Sequence, residues 1–295
     1  MTAESMECLN SCVLFVCLAV AGSCAEELRW VDARDLTIEG KGWTDTAAPY
    51  DRLPARAEGV VPPSVWSLSH HSAGLCLRFI SDARSISARW TLLSENLSML
   101  HMPATGVSGL DLYARPLPSP SGTPWRWVAN GRPEHKTNEQ SLVWGLPEGN
   151  REYLLYLPLY NGVTSVEIGV PLSATLTPAP PRGRPIVFYG TSITQGGCAA
   201  RPGMAYPAIL GRRLDWPTIN LGFSGSAQME PAVANLLAEL EPCVYVLDAL
   251  PNMGPDLVAE RAPGFINILR AAHPNTPIVL VENITYQGSW VYPEP

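Results

Sequence analysis

The sequence predicts an all-β sandwich of jelly-roll type followed by an α/β domain built on a parallel sheet. Three observations predict it. Residues 26 to about 170 hold short apolar runs, several alternating with polar residues, separated by Gly, Pro, Asn and Ser. Residues 171–185 then carry five prolines, a stiff connector. Beyond them strand and helix patterns alternate, which calls for a parallel sheet with right-handed crossovers.

The β half is read from Leu75–Ile80, Ser85–Trp90, Arg151–Leu157 and Ser165–Val170, with no strong helical period between them. In the second half, strands are expected at 186–189, 217–221, 243–248 and 277–283. Helices are expected at 203–214, 229–240 and 256–272. Pro231 and Pro255 sit near helix starts, where a missing N–H is harmless. The expected organisation is a β-sandwich over 26–175, a proline-rich linker over 176–185 and an α/β domain over 186–295.

The 295 residues suffice for two domains, and an apolar content of 46% suits real cores. A net charge of −7 with no basic stripe argues against a nucleic-acid partner. Residues 13–22 are apolar but too few to span a bilayer, and Ser23-Cys24-Ala25 offers small residues for cleavage. Residues 1–25 are therefore expected to be a signal peptide, and the mature chain secreted or periplasmic with no transmembrane segment. Residues 1–12 lack the usual Lys or Arg, and lipoprotein anchoring through Cys24 is the other reading. Four of the seven cysteines fall in this leader; Cys76, Cys198 and Cys243 form neither a disulfide framework nor a zinc spacing.

Chemistry concentrates at three strand ends of the second half. Gly190-Thr191-Ser192-Ile193-Thr194 follows the first strand and presents a serine hydroxyl on a sharp turn. Asn220-Leu221-Gly222-Phe223-Ser224-Gly225-Ser226-Ala227 follows the second, where glycines let the backbone approach a ligand. Asp248-Ala249-Leu250-Pro251-Asn252-Met253 follows the third and offers a side-chain amide. In open parallel sheets ligands bind beyond the carboxyl ends of the strands. A hydroxyl, a free backbone N–H and an amide at neighbouring ends are the parts of acyl transfer.

These three blocks resemble those of the SGNH (GDSL-type) hydrolases, and Gly109-Leu110-Asp111-Leu112-Tyr113 resembles the Gly-x-Asp-Leu-Tyr signature of a β domain that precedes one subgroup of them. The resemblance implies a flavodoxin-like fold and an acyl-serine mechanism without a cofactor or metal. It makes Ser192 the nucleophile and places Gly225 and Asn252 in the oxyanion hole. Thr191 stands where Asp is commoner and is placed with the substrate-binding residues. The third block departs from the usual Gly-x-Asn-Asp, and the fourth, Asp-x-x-His, is missing. Arg270 occupies the aspartate's place before His273-Pro274, so His273 reads as a helix-end residue. The chain is accordingly expected to be C-terminally incomplete, with the general base and its acid beyond Pro295. Asp111 itself is expected to be a structural turn residue.

Other motifs fail. Gly222-Phe223-Ser224-Gly225-Ser226 lacks the last glycine of the Gly-x-Ser-x-Gly elbow, and Gly190–Gly196 lacks the lysine of a phosphate loop. Seven of nine tryptophans lie in the β half. Most are expected in the sandwich core and domain interface; Trp125 and Trp127, alternating along one face, are the expected exposed platforms for a sugar. The sequence thus reads as a secreted esterase that removes acetyl groups from a carbohydrate, acting on a small-molecule or polysaccharide ester. The alternative is a non-catalytic carbohydrate-binding protein on a degenerate SGNH scaffold.

Overall fold

The computed structural model describes residues 26–291 apart from 121 and 286. The expected signal peptide and Cys24 lie outside the described residues. Ten strands build the first half: β1 (Leu28–Asp32), β2 (Thr37–Glu39), β3 (Cys76–Ser81), β4 (Ile86–Leu92), β5 (Leu110–Pro116), β6 (Arg126–Gly131), β7 (Thr137–Val143), β8 (Arg151–Tyr156), β9 (Val163–Pro171) and β10 (Leu176–Pro178). They form two antiparallel sheets, β1-β9-β4-β7 and β10-β3-β8-β5-β6, with β2 also paired to β3. Leu176–Pro178, in the proline-rich segment, is thus an edge strand, where a residue without an N–H is tolerated.

The sandwich core lies between the sheets. Leu77 and Phe79 of β3, Leu110 and Leu112 of β5, and Tyr153 and Leu155 of β8 face Ala88 and Trp90 of β4 and Val166 and Ile168 of β9. The alternate positions of β3, β5 and β8 do not face water, as those of a half-buried strand would, whereas Arg89 of β4 and Ser165 of β9 do. Cys76, Tyr113, Leu154 and Tyr156 pack with Ala208 of the second half. The outer face of this sheet is the domain interface, and β8 is accordingly buried on both faces.

Two short helices interrupt the β half, α1 (Pro63–Ser69) and α2 (Ala104–Val107). Neither carries a readable helical period, since each is at most two turns long. Each begins after a proline, and α1 has Pro63 in its first turn, where the missing N–H is an orphan anyway. The segment around α1 serves the other domain: Trp43, Leu53, Ala57, Val61 and Val65 join the core of the parallel sheet.

The second half carries β11 (Ile186–Gly190), α3 (Ser192–Gln195), α4 (Tyr206–Leu214), β12 (Thr218–Gly222), α5 (Pro231–Leu237), β13 (Val244–Asp248), α6 (Pro255–Ala272) and β14 (Ile278–Leu280). Its sheet is parallel, in the order β12-β11-β13-β14. The first strand therefore lies between the second and third, the flavodoxin-like order. Val187, Tyr189, Leu221, Tyr245 and Leu247 fill its core. The one-turn helix α3 went unread because four residues are too few to show a period.

A closed ring of alternating charges binds the halves together. Arg78 pairs with Glu39 at 3.0 Å and Glu152 at 2.5 Å. Arg115 pairs with Glu152 and Asp215, both at 2.7 Å. Arg182 closes the ring onto Asp215 at 3.2 Å and Glu39 at 2.5 Å. Glu39, Glu152 and Arg78 are almost wholly buried, and each has two partners, which offsets the desolvation of the charges.

Candidate active site

Gly190 is level with Gly222 on one side and Asp248 on the other, so β12, β11 and β13 end together. Neighbouring strands lie about 4.8 Å apart. The segments bearing Gly225, Ser192 and Asn252 consequently leave the sheet side by side. Further bonds fix this edge: the Phe223 N–H donates to the Gly190 carbonyl at 2.8 Å and the Thr191 N–H to the Asp248 carbonyl at 3.3 Å.

Ser192 is the first residue of α3 and half-buried. A residue in that position keeps its N–H outside the helix ladder, free for an oxyanion. Its carbonyl is held by the Gly196 N–H at 3.0 Å, the Gly197 N–H at 2.7 Å and the Tyr160 hydroxyl at 3.2 Å. Thr191 does not face a substrate. It is fully buried, and its Oγ1 caps α3 by accepting from the Ile193 N–H at 3.3 Å. Behind it, the Asp248 carboxylate accepts from Thr194 Oγ1 at 3.0 Å and the Tyr206 hydroxyl at 2.9 Å, locking α3 to β13.

Gly225 is exposed and adopts φ +67°, a left-handed conformation that an L side chain resists. The turn is closed by the Ser226 N–H on the Phe223 carbonyl at 3.0 Å, a bond that leaves the Gly225 N–H out. Gly222 is glycine for another reason: a Cβ there would collide with the Gln195 backbone. Asn252 ends a 3-10 turn, Leu250–Asn252, and its Nδ2 is buried without a hydrogen-bond partner among the described residues. An unpaired buried donor is costly unless a ligand completes it. Gln228 Nε2 donates to the Asn252 carbonyl at 3.2 Å and so couples the second and third segments.

The residue the sequence reading missed is Gln195. It is fully buried, its Oε1 accepts from the Ser224 N–H at 2.9 Å and its Nε2 donates to the Leu159 carbonyl at 3.0 Å. It also meets His71 Nδ1 at 3.1 Å. Its one signal was its place, three residues after the serine. Tyr160 and His71 come from the β domain, and no motif marks either as a site residue. His71 is pushed down to about 4, by burial first and then by the Arg52 guanidinium and His70. Arg52, fully buried, donates to the Asn220 and Gly222 carbonyls at 3.1 and 2.8 Å and supports the second segment from beneath.

The tryptophans divide. Trp125 is 8% exposed, stacks under Arg115 and donates to Asp215 Oδ1 at 3.2 Å. Asp215 follows α4 and precedes β12, at the sheet edge opposite Ser192. Trp125 is therefore an interface residue, not an exposed platform. Trp127 is 50% exposed, but its Nε1 donates to Asp111 Oδ1 at 2.9 Å. Asp111 lies in β5, not in a turn. It also accepts from the Gly203 N–H at 2.9 Å and pairs with Arg201 at 3.2 Å, a clamp between the domains. His273 caps α6, with Nε2 2.9 Å from the Ala238 carbonyl. No histidine among the described residues is hydrogen-bonded to Ser192. The three cysteines in the described residues are free, with Cys198 exposed. No helix among the described residues is long and apolar enough to cross a membrane.

Residues 28–176 match the N-terminal Gly-x-Asp-Leu-Tyr domain of SGNH-hydrolase-type esterases, and residues 183–294 match the GDSL-like lipase/acylhydrolase family. The chain belongs to the SGNH/GDSL-type esterases. A GDSL-like lipase from Bacteroides ovatus is 35% identical, with a TM-score of 0.83 over 89% of this chain and 76% of that one. A salicylyl-acyltransferase from a tetracycline biosynthetic pathway shares the fold at 22% identity, TM-score 0.67, over 85% of this chain and 71% of that one. An acetyl xylan esterase from Butyrivibrio proteoclasticus does so at 12% identity, TM-score 0.52, over 86% and 80%. Among curated proteins no sequence matches this esterase-family chain.

Proposed function

We propose that this SGNH-type chain is a secreted serine esterase that removes acetyl groups from a carbohydrate through an acyl-serine intermediate. The observation that carries it is the unpaired, buried Asn252 Nδ2 at the strand end beside Ser192, with Gly225 on the other side. Ser192 Oγ attacks the ester carbonyl carbon and gives up its proton to a general base. The Ser192 and Gly225 N–H groups and Asn252 Nδ2 hold the oxyanion. As the tetrahedral intermediate collapses, the alcohol leaves with that proton. Water then attacks the acyl-serine, giving up its proton to the base, and acetate is released as Ser192 is reprotonated. The base is assigned to the family's fourth block, which the sequence does not contain. The carbohydrate class is supported by the expected secretion, by the exposed face of Trp127, and by the fold shared with an acetyl xylan esterase.

Hydrolysis of p-nitrophenyl acetate by the protein carrying the family's Asp-x-x-His block, as wild type and as Ser192→Ala, tests the reading. A signal that Ser192→Ala abolishes supports it. Equal rates in the two proteins sink it, and glycan affinity without any esterase activity would mark a binding protein.

A further inference from the structure

A cavity of about 480 Å³ lies against the turn that bears Gly225, and most of its wall belongs to the β domain. It meets the α/β domain at Ser224, the residue before Gly225, and is also lined by Tyr160 of the β domain, whose hydroxyl holds the Ser192 carbonyl. Its polar lining is His71, Ser94, Asn96 and Ser98; Leu68, Met99 and Val107 supply apolar surface. No Asp, Glu, Lys or Arg lines it. The size is that of a small-molecule site, and the lining suits a neutral, hydroxylated ligand.

The wall is built rather than loose. Asn161, 1% exposed, accepts from the Ser94 N–H with Oδ1 and donates to the Ser94 carbonyl with Nδ2, both at 3.0 Å. Met99 and Met102 exchange two backbone bonds at 3.0 and 3.1 Å.

Hydrogen-bond counting fixes the proton on His71. A backbone N–H can only donate, so the atom of Gln195 facing Ser224 is its oxygen. The atom facing the Leu159 carbonyl is then the NH2 group, whose second hydrogen points to His71 Nδ1. Nδ1 must accept, which leaves the imidazole neutral with its proton on Nε2. The low pKa from burial agrees with that state.

The geometry points to this cavity as the site for the alcohol portion of the ester, a neutral sugar, with the His71 Nε2–H as the donor that selects it. The inference rests on the esterase reading for its place in the reaction, but the binding can be measured apart from turnover.

The experiment titrates methyl 6-O-acetyl-glucopyranoside into Ser192→Ala protein and follows the imidazole nitrogens by NMR. The expected result is an Nε2–H tautomer whose Nε2 signal shifts with ligand. His71→Phe in the same background should then weaken binding about two- to tenfold, the worth of one neutral hydrogen bond. Binding that leaves the imidazole signals unmoved overturns the role of His71, as does an Nδ1–H tautomer, even if His71→Phe fails to fold. Absence of any binding overturns the cavity assignment while leaving hydrolysis of p-nitrophenyl acetate intact. Binding that shifts Nε2 in a protein whose wild type cleaves no ester supports the cavity and sinks only the esterase reading.

Discussion

Gln195 accepts a hydrogen bond from the Ser224 N–H at 2.9 Å, tying the turn that bears Gly225 to the helix that begins at Ser192. The nucleophile and one oxyanion donor therefore move as one body. The same side chain reaches Leu159 and His71, so the β domain holds that body in place.

Gln195→Ala should lower the turnover of p-nitrophenyl acetate about 10- to 100-fold, matching about 1–3 kcal/mol for buried groups left unpaired. The loss should fall on kcat more than on KM, because the turn matters most once the oxyanion forms. A change confined to KM would mean that Gln195 shapes binding rather than the oxyanion hole.

Asn252→Ala should reduce kcat about 10²–10³-fold, the usual consequence of removing one oxyanion donor. Its effect on stability should stay within about 0.5 kcal/mol in urea unfolding, since Nδ2 has no partner among the described residues to lose. A loss of activity below threefold would remove Asn252 from that role.

Glu152→Gln should destabilise the protein by about 3–5 kcal/mol, because Arg78 and Arg115 would both keep a buried charge with a weakened partner. Urea denaturation measures this. An unchanged midpoint would show that the charge ring contributes nothing net.

His71 links stability to pH. Folded, it titrates at about 4; unfolded, near 6.5. Between these values the unfolded chain binds more protons, so the contribution of His71 is complete above pH 6.5 and is lost as pH falls toward 4. The unfolding free energy of wild type minus that of His71→Phe should rise from pH 4 to pH 7 by on the order of 2–3 kcal/mol. A flat difference would show that the imidazole is not held neutral by burial. Asp111, pushed up to about 6 chiefly by burial, acts in the opposite sense. Its contribution is present below its unfolded value and fades as pH rises through 6, so Asp111→Asn should steepen the rise of stability with pH.

The sequence by itself determined the order of the two domains, the parallel sheet of the second and the three strand ends where Ser192, Gly225 and Asn252 stand. Each of these is a local matter, since a strand's apolar run and the turn after it are written in adjacent residues. The tertiary structure alone decided what surrounds them. Thr191 spends its hydroxyl on a helix cap, and Trp125 sinks into the domain interface because α4 covers the outer face of the sandwich. His71, Tyr160 and the 94–99 wall meet Gln195 and Ser224 around one cavity only because sheets from distant parts of the chain pack together. No spacing along the chain encodes such a meeting; it follows from which apolar and charged faces bury one another.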